Sequence, residues 1–165
     1  MRANYKILRI ARKRAPTGLC MKKDAEIRPF HLAISVDSLS EARAFYGSLL
    51  GCEEGRSSDQ WVDFNFFGHQ LVCHLDTGEQ RAARDLHNPV DGHDVPIPHF
   101  GLVLDMDNWE EIRGRLESAG VEFVIEPNIR FKGLPGEQAT LFFRDPAGNN
   151  LEFKAFARLD QLFVK

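Results

Sequence analysis

The sequence predicts an α+β fold built from two βαβββ modules, and three observations carry that prediction. His31-Leu-Ala-Ile-Ser-Val-Asp37 and His99-Phe-Gly-Leu-Val-Leu-Asp105 match each other at an offset of 68 residues. Each is followed by apolar positions at helical spacing that stop at a glycine, Gly51 or Gly120. Each copy then closes on short apolar strands joined by tight turns.

In the first copy, Phe30 to Val36 reads as a buried strand. Ser38-x-x-Glu41 is a capping-box signature, and Leu39, Ala42, Phe45, Tyr46, Leu49 and Leu50 recur on one helical face. A short strand is expected near Cys52–Arg56. Trp61 to Phe67 alternates, Gly68-His69 makes a turn, and Gln70 to Leu75 is the last strand of the copy. In the second copy, His99–Leu104 reads as a strand. Asn108-x-x-Glu111 is expected to cap a helix with Trp109, Ile112, Leu116 and Ala119 on its apolar face. Val121–Ile125, Ala139–Arg144 and Asn150–Phe156 are strands, with Asp145-Pro-Ala-Gly148 as a turn. Two stretches read as irregular: Thr77–Pro98, broken by Pro89, Gly92, Pro96 and Pro98, and Glu126–Gln138, which holds Lys132-Gly-Leu-Pro-Gly136. Loops of this length act as lids, binding loops or linkers. The expected organisation is a basic extension over 1–27, a domain over 28–156 with modules 28–76 and 98–156 and a linker 77–97, and a short amphipathic tail over 157–165.

Charge divides the chain. Residues 1–23 hold eight basic side chains and no acid, while the rest holds 13 basic against 24 acidic, a formal charge of −11. An acidic folded part argues against nucleic-acid binding. The basic head reads as an extension or as translated sequence ahead of Met21, with organelle targeting as the alternative. No run approaches the roughly 18 apolar residues of a membrane span. Cys20, Cys52 and Cys73 form no C-x-x-C pair, which fits a reducing, cytoplasmic setting and argues against a cysteine-rich zinc site.

The duplication also locates a candidate site. Pseudo-symmetry brings equivalent positions of two modules together, so His31 and His99 are expected to converge. His31 to His74 spans 43 residues and His99 to Glu152 spans 53; the longer second loop absorbs the extra ten, which places His74 and Glu152 at matching points of the last strands. A glutamate in an apolar strand is costly to bury unless it is paired or bound to a metal. His31, His99 and Glu152 therefore form a two-histidine, one-carboxylate set suited to Fe2+, with Mn2+, Zn2+ or Ni2+ as alternatives. His74 is the candidate acid–base group or a fourth ligand. Gln70 shares its strand face and reads as a residue that supports the ligands or touches substrate, and Trp61, Phe64, Phe66 and Phe142 offer an aromatic lining. His69, His87 and His93 read as solvated, as do Lys132 and Glu137.

At Phe30–Val36, Ala42–Gly51, His99–Leu104 and Phe142-Phe-Arg-Asp-Pro-Ala-Gly-Asn-Asn-Leu-Glu152, the sequence resembles the vicinal oxygen chelate superfamily. That superfamily includes glyoxalase I, extradiol dioxygenases, fosfomycin-resistance enzymes and bleomycin-binding proteins. The resemblance implies paired βαβββ modules in a half-open barrel around a divalent metal, and substrates that chelate through neighbouring oxygens. It implies a site between modules of one chain or of two exchanged chains, and hence a homodimer. Glyoxalase I commonly has a glutamate ligand where His74 stands here. Extradiol dioxygenases resemble this chain in ligands at His31, His99 and Glu152, with a catalytic histidine near His74, but usually carry tyrosine at the position of Phe142. The function expected is a metal-dependent, dioxygenase-like enzyme acting on a small molecule, against a non-catalytic binding or resistance protein, or a glyoxalase-like lyase or isomerase.

Overall fold

Two four-stranded sheets, each with a helix on one face, build the molecule. The computed structural model describes residues 28–76, 78, 86–90 and 92–163; the expectations for residues 1–27 fall outside them. In the first module, β1 (His31–Val36) leads into α1 (Leu39–Ala42), which continues as a π-helical segment (Arg43–Leu49). Next come β2 (Glu53–Ser57), β3 (Trp61–Phe66) and β4 (His69–Leu75), ordered β1-β4-β3-β2 with β1 and β4 parallel. Ser38 caps α1 by accepting the Glu41 N–H at 3.2 Å.

The second module repeats the plan. It contains β7 (Phe100–Leu104), α2 (Met106–Ser118), β8 (Phe123–Arg130), β9 (Gln138–Arg144) and β10 (Asn150–Phe156), ordered β7-β10-β9-β8. The paired βαβββ modules expected from the sequence are therefore present, and the two sheets remain separate and open. Gly51 and Gly120 sit at φ of 77° and 69° just past the helices, the left-handed conformation that ends a helix most cheaply in glycine. Among the described residues, no helix is long and apolar enough to cross a membrane.

Four sequence expectations need correcting. The cap of α2 is Asp105, whose carboxylate accepts the Asn108 N–H at 2.8 Å, so the helix begins earlier than Asn108 would allow. His99 lies just before β7 rather than within it. β8 runs on to Arg130, through the first five residues of the stretch read as irregular. The linker is not structureless either: β5 (Leu86–Val90) and β6 (His93–Ile97) form an antiparallel hairpin. Its prolines, which read as breakers, are accommodated because a two-stranded ribbon has free edges.

Strand parity sorts each sheet into two faces. Val62, Phe64, Phe66, Leu71 and Cys73 of the first sheet, and Leu102, Leu141, Phe143, Leu151 and Phe153 of the second, join α1 and α2 in one buried core. The modules meet through this core: Phe66 lies 6.0 Å from Phe153 and Phe45 lies 6.0 Å from Phe143. Tyr46 Oη–H donates to Asp145 at 2.8 Å, and the Asn149 amide donates to the Ser35 carbonyl at 3.0 Å, tying the π-helical segment and β1 to the β9–β10 turn. The opposite, polar faces look away from that core.

Candidate functional site

The polar face of the second sheet holds a buried carboxylate. Glu152, in β10, has a side chain only 6% exposed. Its Oε1 accepts the Thr140 hydroxyl at 2.8 Å from β9. Its Oε2 faces His99 Nε2 at 3.2 Å and the Lys154 ammonium at 3.0 Å. His99 is held by its other nitrogen, because Nδ1 lies 2.8 Å from the Pro96 carbonyl in the hairpin. A carbonyl only accepts, so Nδ1 carries a hydrogen. Burial pushes the Glu152 carboxyl up, but bonds from His99, Lys154 and Thr140 outweigh it and hold the group below the usual carboxylate range. The bond to Glu152 raises the His99 pKa.

Close backbone approach makes this arrangement possible. β7 and β10 pair in parallel with Gly101 opposite Glu152. A Cβ on Gly101 would stand 1.7 Å from the Glu152 carbonyl oxygen, so only glycine fits. On the other side, β9 places Phe142 opposite Glu152, and its ring meets the His99 ring edge-on at 5.2 Å. Phe142 also packs with Ile125 beneath Val95 of the hairpin.

The polar face of the first sheet carries a different chain of contacts. His31 Nδ1 lies 2.7 Å from Gln70 Oε1, its partner across β1 and β4. The Gln70 amide donates to Asp63 Oδ2 at 3.1 Å, and the Arg56 guanidinium lies 3.5 Å from the same oxygen.

The chain matches a known family. The family model of the Glyoxalase/Bleomycin resistance protein/Dioxygenase superfamily covers residues 28–153. The chain belongs to this superfamily. A glyoxalase/bleomycin resistance protein/dioxygenase from Alicyclobacillus acidocaldarius is 34% identical, with a TM-score of 0.67 over 82% of this chain and 96% of that one. A lactoylglutathione lyase from Agrobacterium tumefaciens is similar in fold at 21% identity and a TM-score of 0.57, covering 87% of this chain and 100% of that one. So is a genomically encoded fosfomycin resistance protein from Listeria monocytogenes, at 18% identity and a TM-score of 0.59, over 83% and 98% of the two chains. No curated protein matches.

Within this superfamily fold, the structure brings together only part of the set read from sequence. His99 and Glu152 meet; His31 is engaged with Gln70 on the other module. Among the described residues, no three His, Cys, Asp or Glu side chains gather closely enough to hold a metal. The chemistry of the His99–Glu152 donors nonetheless fits a divalent ion in part, since an imidazole nitrogen and a carboxylate oxygen point at each other, with the imidazole locked from behind.

The matching of His74 with Glu152 is corrected by register. His31 pairs with Gln70, Ala33 with Val72 and Ser35 with His74, whereas Gly101 pairs with Glu152 and Val103 with Lys154. At the 68-residue offset, the counterpart of Glu152 is Val72, and that of His74 is Lys154. Counting from the histidines along the chain does not reveal this, because spacing alone does not say how many residues the longer loops of the second copy add. His74 is exposed, on the same face as His31 and next to Trp61 on β3.

The expected aromatic lining is also reduced. Phe64 and Phe66, 1% and 4% exposed, belong to the core. Trp61 is half-buried on the polar face, and Phe142 is covered by the hairpin. His69 is not simply solvated, since its Nδ1 accepts the Phe30 N–H at 3.0 Å, and His87 faces the Asp94 carboxylate at 3.1 Å. Glu137 accepts the Gly133 N–H within its own loop. Cys52 and Cys73 are buried, and burial raises each thiol to about 12, so neither is a ready nucleophile.

Asp63, Thr140 and Lys154 were missed. The available signal was parity: Asp63 alternates with Val62 and Phe64, which places a carboxylate on the same face as Trp61.

Proposed function

We propose that this chain is a metal-dependent, dioxygenase-like enzyme acting on a small substrate with vicinal oxygens, and that it works as a homodimer. The observation that carries the reading is the opposition of His99 Nε2 and Glu152 Oε2 at 3.2 Å, with Pro96 and Thr140 holding the two groups from behind. With Val72 opposite Ala33, the first module offers no carboxylate at the position matching Glu152, so its contribution is His31. Three protein donors rather than four favour open coordination positions over a saturated isomerase site. His31 and the His99–Glu152 pair lie on faces turned away from a shared core, so a second copy is the reasonable source of the third ligand.

When bound, a divalent ion, with Fe2+ favoured and Mn2+, Zn2+ or Ni2+ also suited to these donors, supplies Lewis acidity and a template for oxygen ligands. The chain's own groups do the rest. Thr140 keeps Glu152 turned so that Oε2 is presented. Lys154, 3.0 Å from Oε2, would be displaced by a bound cation and could then face an anionic oxygen of the substrate. His74 is assigned proton transfer, being exposed on the same face as His31. Binding without turnover has less support, because two of the four aromatic rings it calls on, Phe64 and Phe66, are committed to the core.

The test is metal analysis of protein purified without chelators, followed by anaerobic Fe2+ loading and oxygen uptake over a panel of catechols. The expected result is stoichiometric metal in the wild type and its loss in His31→Ala and Glu152→Gln. Retention of metal by both variants at the wild-type level overturns the reading.

A further inference from the structure

We infer that Asp63, acting through Gln70, is a positioning residue that fixes the tautomer of His31 so that Nε2 is the nitrogen left to bind a metal. The role as ligand rests on the function proposed above; the tautomer itself does not.

A carboxylate has only acceptors, and an amide has one end of each kind. Asp63 Oδ2 receives the Gln70 amide at 3.1 Å, with the Arg56 guanidinium on the same oxygen. Turning the Gln70 amide over would set its oxygen against the carboxylate and lose that bond. Gln70 Oε1 is thereby directed at His31, 2.7 Å from Nδ1. An oxygen there requires Nδ1 to carry the hydrogen, and a neutral imidazole has only one. Nε2 is then the bare nitrogen.

The burial pattern supports a specific role over a casual contact. Asp63 is a carboxylate side chain only 11% exposed, in a strand whose other neighbours are apolar or on the surface. The bond to the half-buried Gln70 offsets the cost of taking Asp63 out of water. The second module reaches the same result by another route, since the Pro96 carbonyl holds the His99 hydrogen on Nδ1. Two histidines at equivalent positions are thus both pinned at Nδ1, one by backbone and one by a side-chain relay. Such outer partners orient metal-binding imidazoles and typically change metal affinity about 10- to 100-fold.

The experiment is long-range 1H–15N correlation NMR of the metal-free, full-length protein above about pH 8, where histidine is neutral. In the wild type, His31 should show a protonated Nδ1 and a bare Nε2. In Asp63→Ala the Gln70 amide is free to turn, and His31 should become a mixture of tautomers while His99 stays unchanged. Asp63→Asn keeps the size of the side chain but can meet Gln70 with either a donor or an acceptor, so it should also leave His31 a mixture of tautomers. Gln70→Met gives the same mixture as Asp63→Ala and serves if that variant fails to fold. A wild-type His31 carrying its hydrogen on Nε2, or a pattern unmoved by both Asp63→Ala and Gln70→Met, overturns the inference. Titration with Mn2+, read as free ion by electron paramagnetic resonance, separates the two claims. If His31 is pinned as described and the wild type binds no Mn2+, the relay stands and the proposed metal site fails. If the wild type does bind, Asp63→Ala should weaken it about tenfold or more.

Discussion

The His99–Glu152 pair sets a pH window that can be read without any assay of activity. His99 is raised above its ordinary value near 6.5 by its bond to Glu152, so the stability it contributes is present below that pH and is lost as pH rises through the raised value. Glu152 is lowered, so its contribution is present above about 4.3 and is lost as pH falls through the lowered value. Between these limits the pair is charged on both sides and competes with any incoming cation. A divalent ion needs the bare Nε2, so Mn2+ affinity should climb as pH rises past the raised His99 value, above about 6.5. Titrations at several pH values check this, and an affinity flat between about pH 6 and pH 8 contradicts it. Gly101 gives a second prediction at this scale. Gly101→Ala places a Cβ 1.7 Å from the Glu152 carbonyl oxygen, and β7 has to leave β10 to accommodate it. The expected loss is about 3 kcal/mol or more, at or beyond the upper range for overpacking, measured by denaturant unfolding. A wild-type stability would mean that the strands sit further apart than described. The histidines and Glu152 were legible from sequence because each stands out against apolar neighbours in a repeat. Their partners were not: the carbonyl of Pro96 has no signature, and Thr140 and Asp63 mean little until the strand order places them beside Glu152 and Gln70.

At the level of elements, the two modules were legible because strand alternation and helix periodicity were strong and occurred twice. The π-helical segment was not, since a wider turn still leaves apolar residues on roughly one face; here it lets the adjacent Phe45 and Tyr46 both enter the core. The β5–β6 hairpin was hidden for a different reason. Pro89, Pro96 and Asp94 are poor strand formers, and the hairpin is held instead by Val90 and Val95 against Ile125, Val124 and Phe142. That small apolar contact supports the Pro96 carbonyl behind His99. Val95→Asp should therefore put a charge under the hairpin and release it, while the main core, which Val95 does not join, stays intact. The expected result is metal affinity lowered by about tenfold or more, with little change in the melting temperature. Circular dichroism melts alongside Mn2+ titration distinguish this from general unfolding, and unchanged affinity removes the hairpin from the site.

For the whole molecule, the direction in which the polar faces look decides what one chain can do alone. The helix-covered faces of both sheets share a core, and the Tyr46–Asp145 and Asn149–Ser35 bonds lock the modules in that relation. His31 and the His99–Glu152 pair are then on the polar faces of two different sheets. A pseudo-symmetric repeat predicts that equivalent histidines converge, but not whether they do so within a chain or between chains, because the sequence is the same in both cases. On the function proposed above, a second copy would join at β1 or β7, each of which ends a sheet, with Val103 of β7 exposed. The consequence is a complementation test. His31→Ala and Glu152→Gln should each dimerise and each bind little Mn2+, because every site in either dimer lacks one ligand. After mixing, mild denaturation and refolding, the mixed dimer should carry one site with all three ligands beside one with only His99, and about half of the wild-type Mn2+ capacity per mixed dimer should return. Equilibrium sedimentation measures the dimer, and Mn2+ titration counts the sites. A wild type that sediments as a monomer yet binds Mn2+ through His31 would place the ligands within one chain and require the modules to repack.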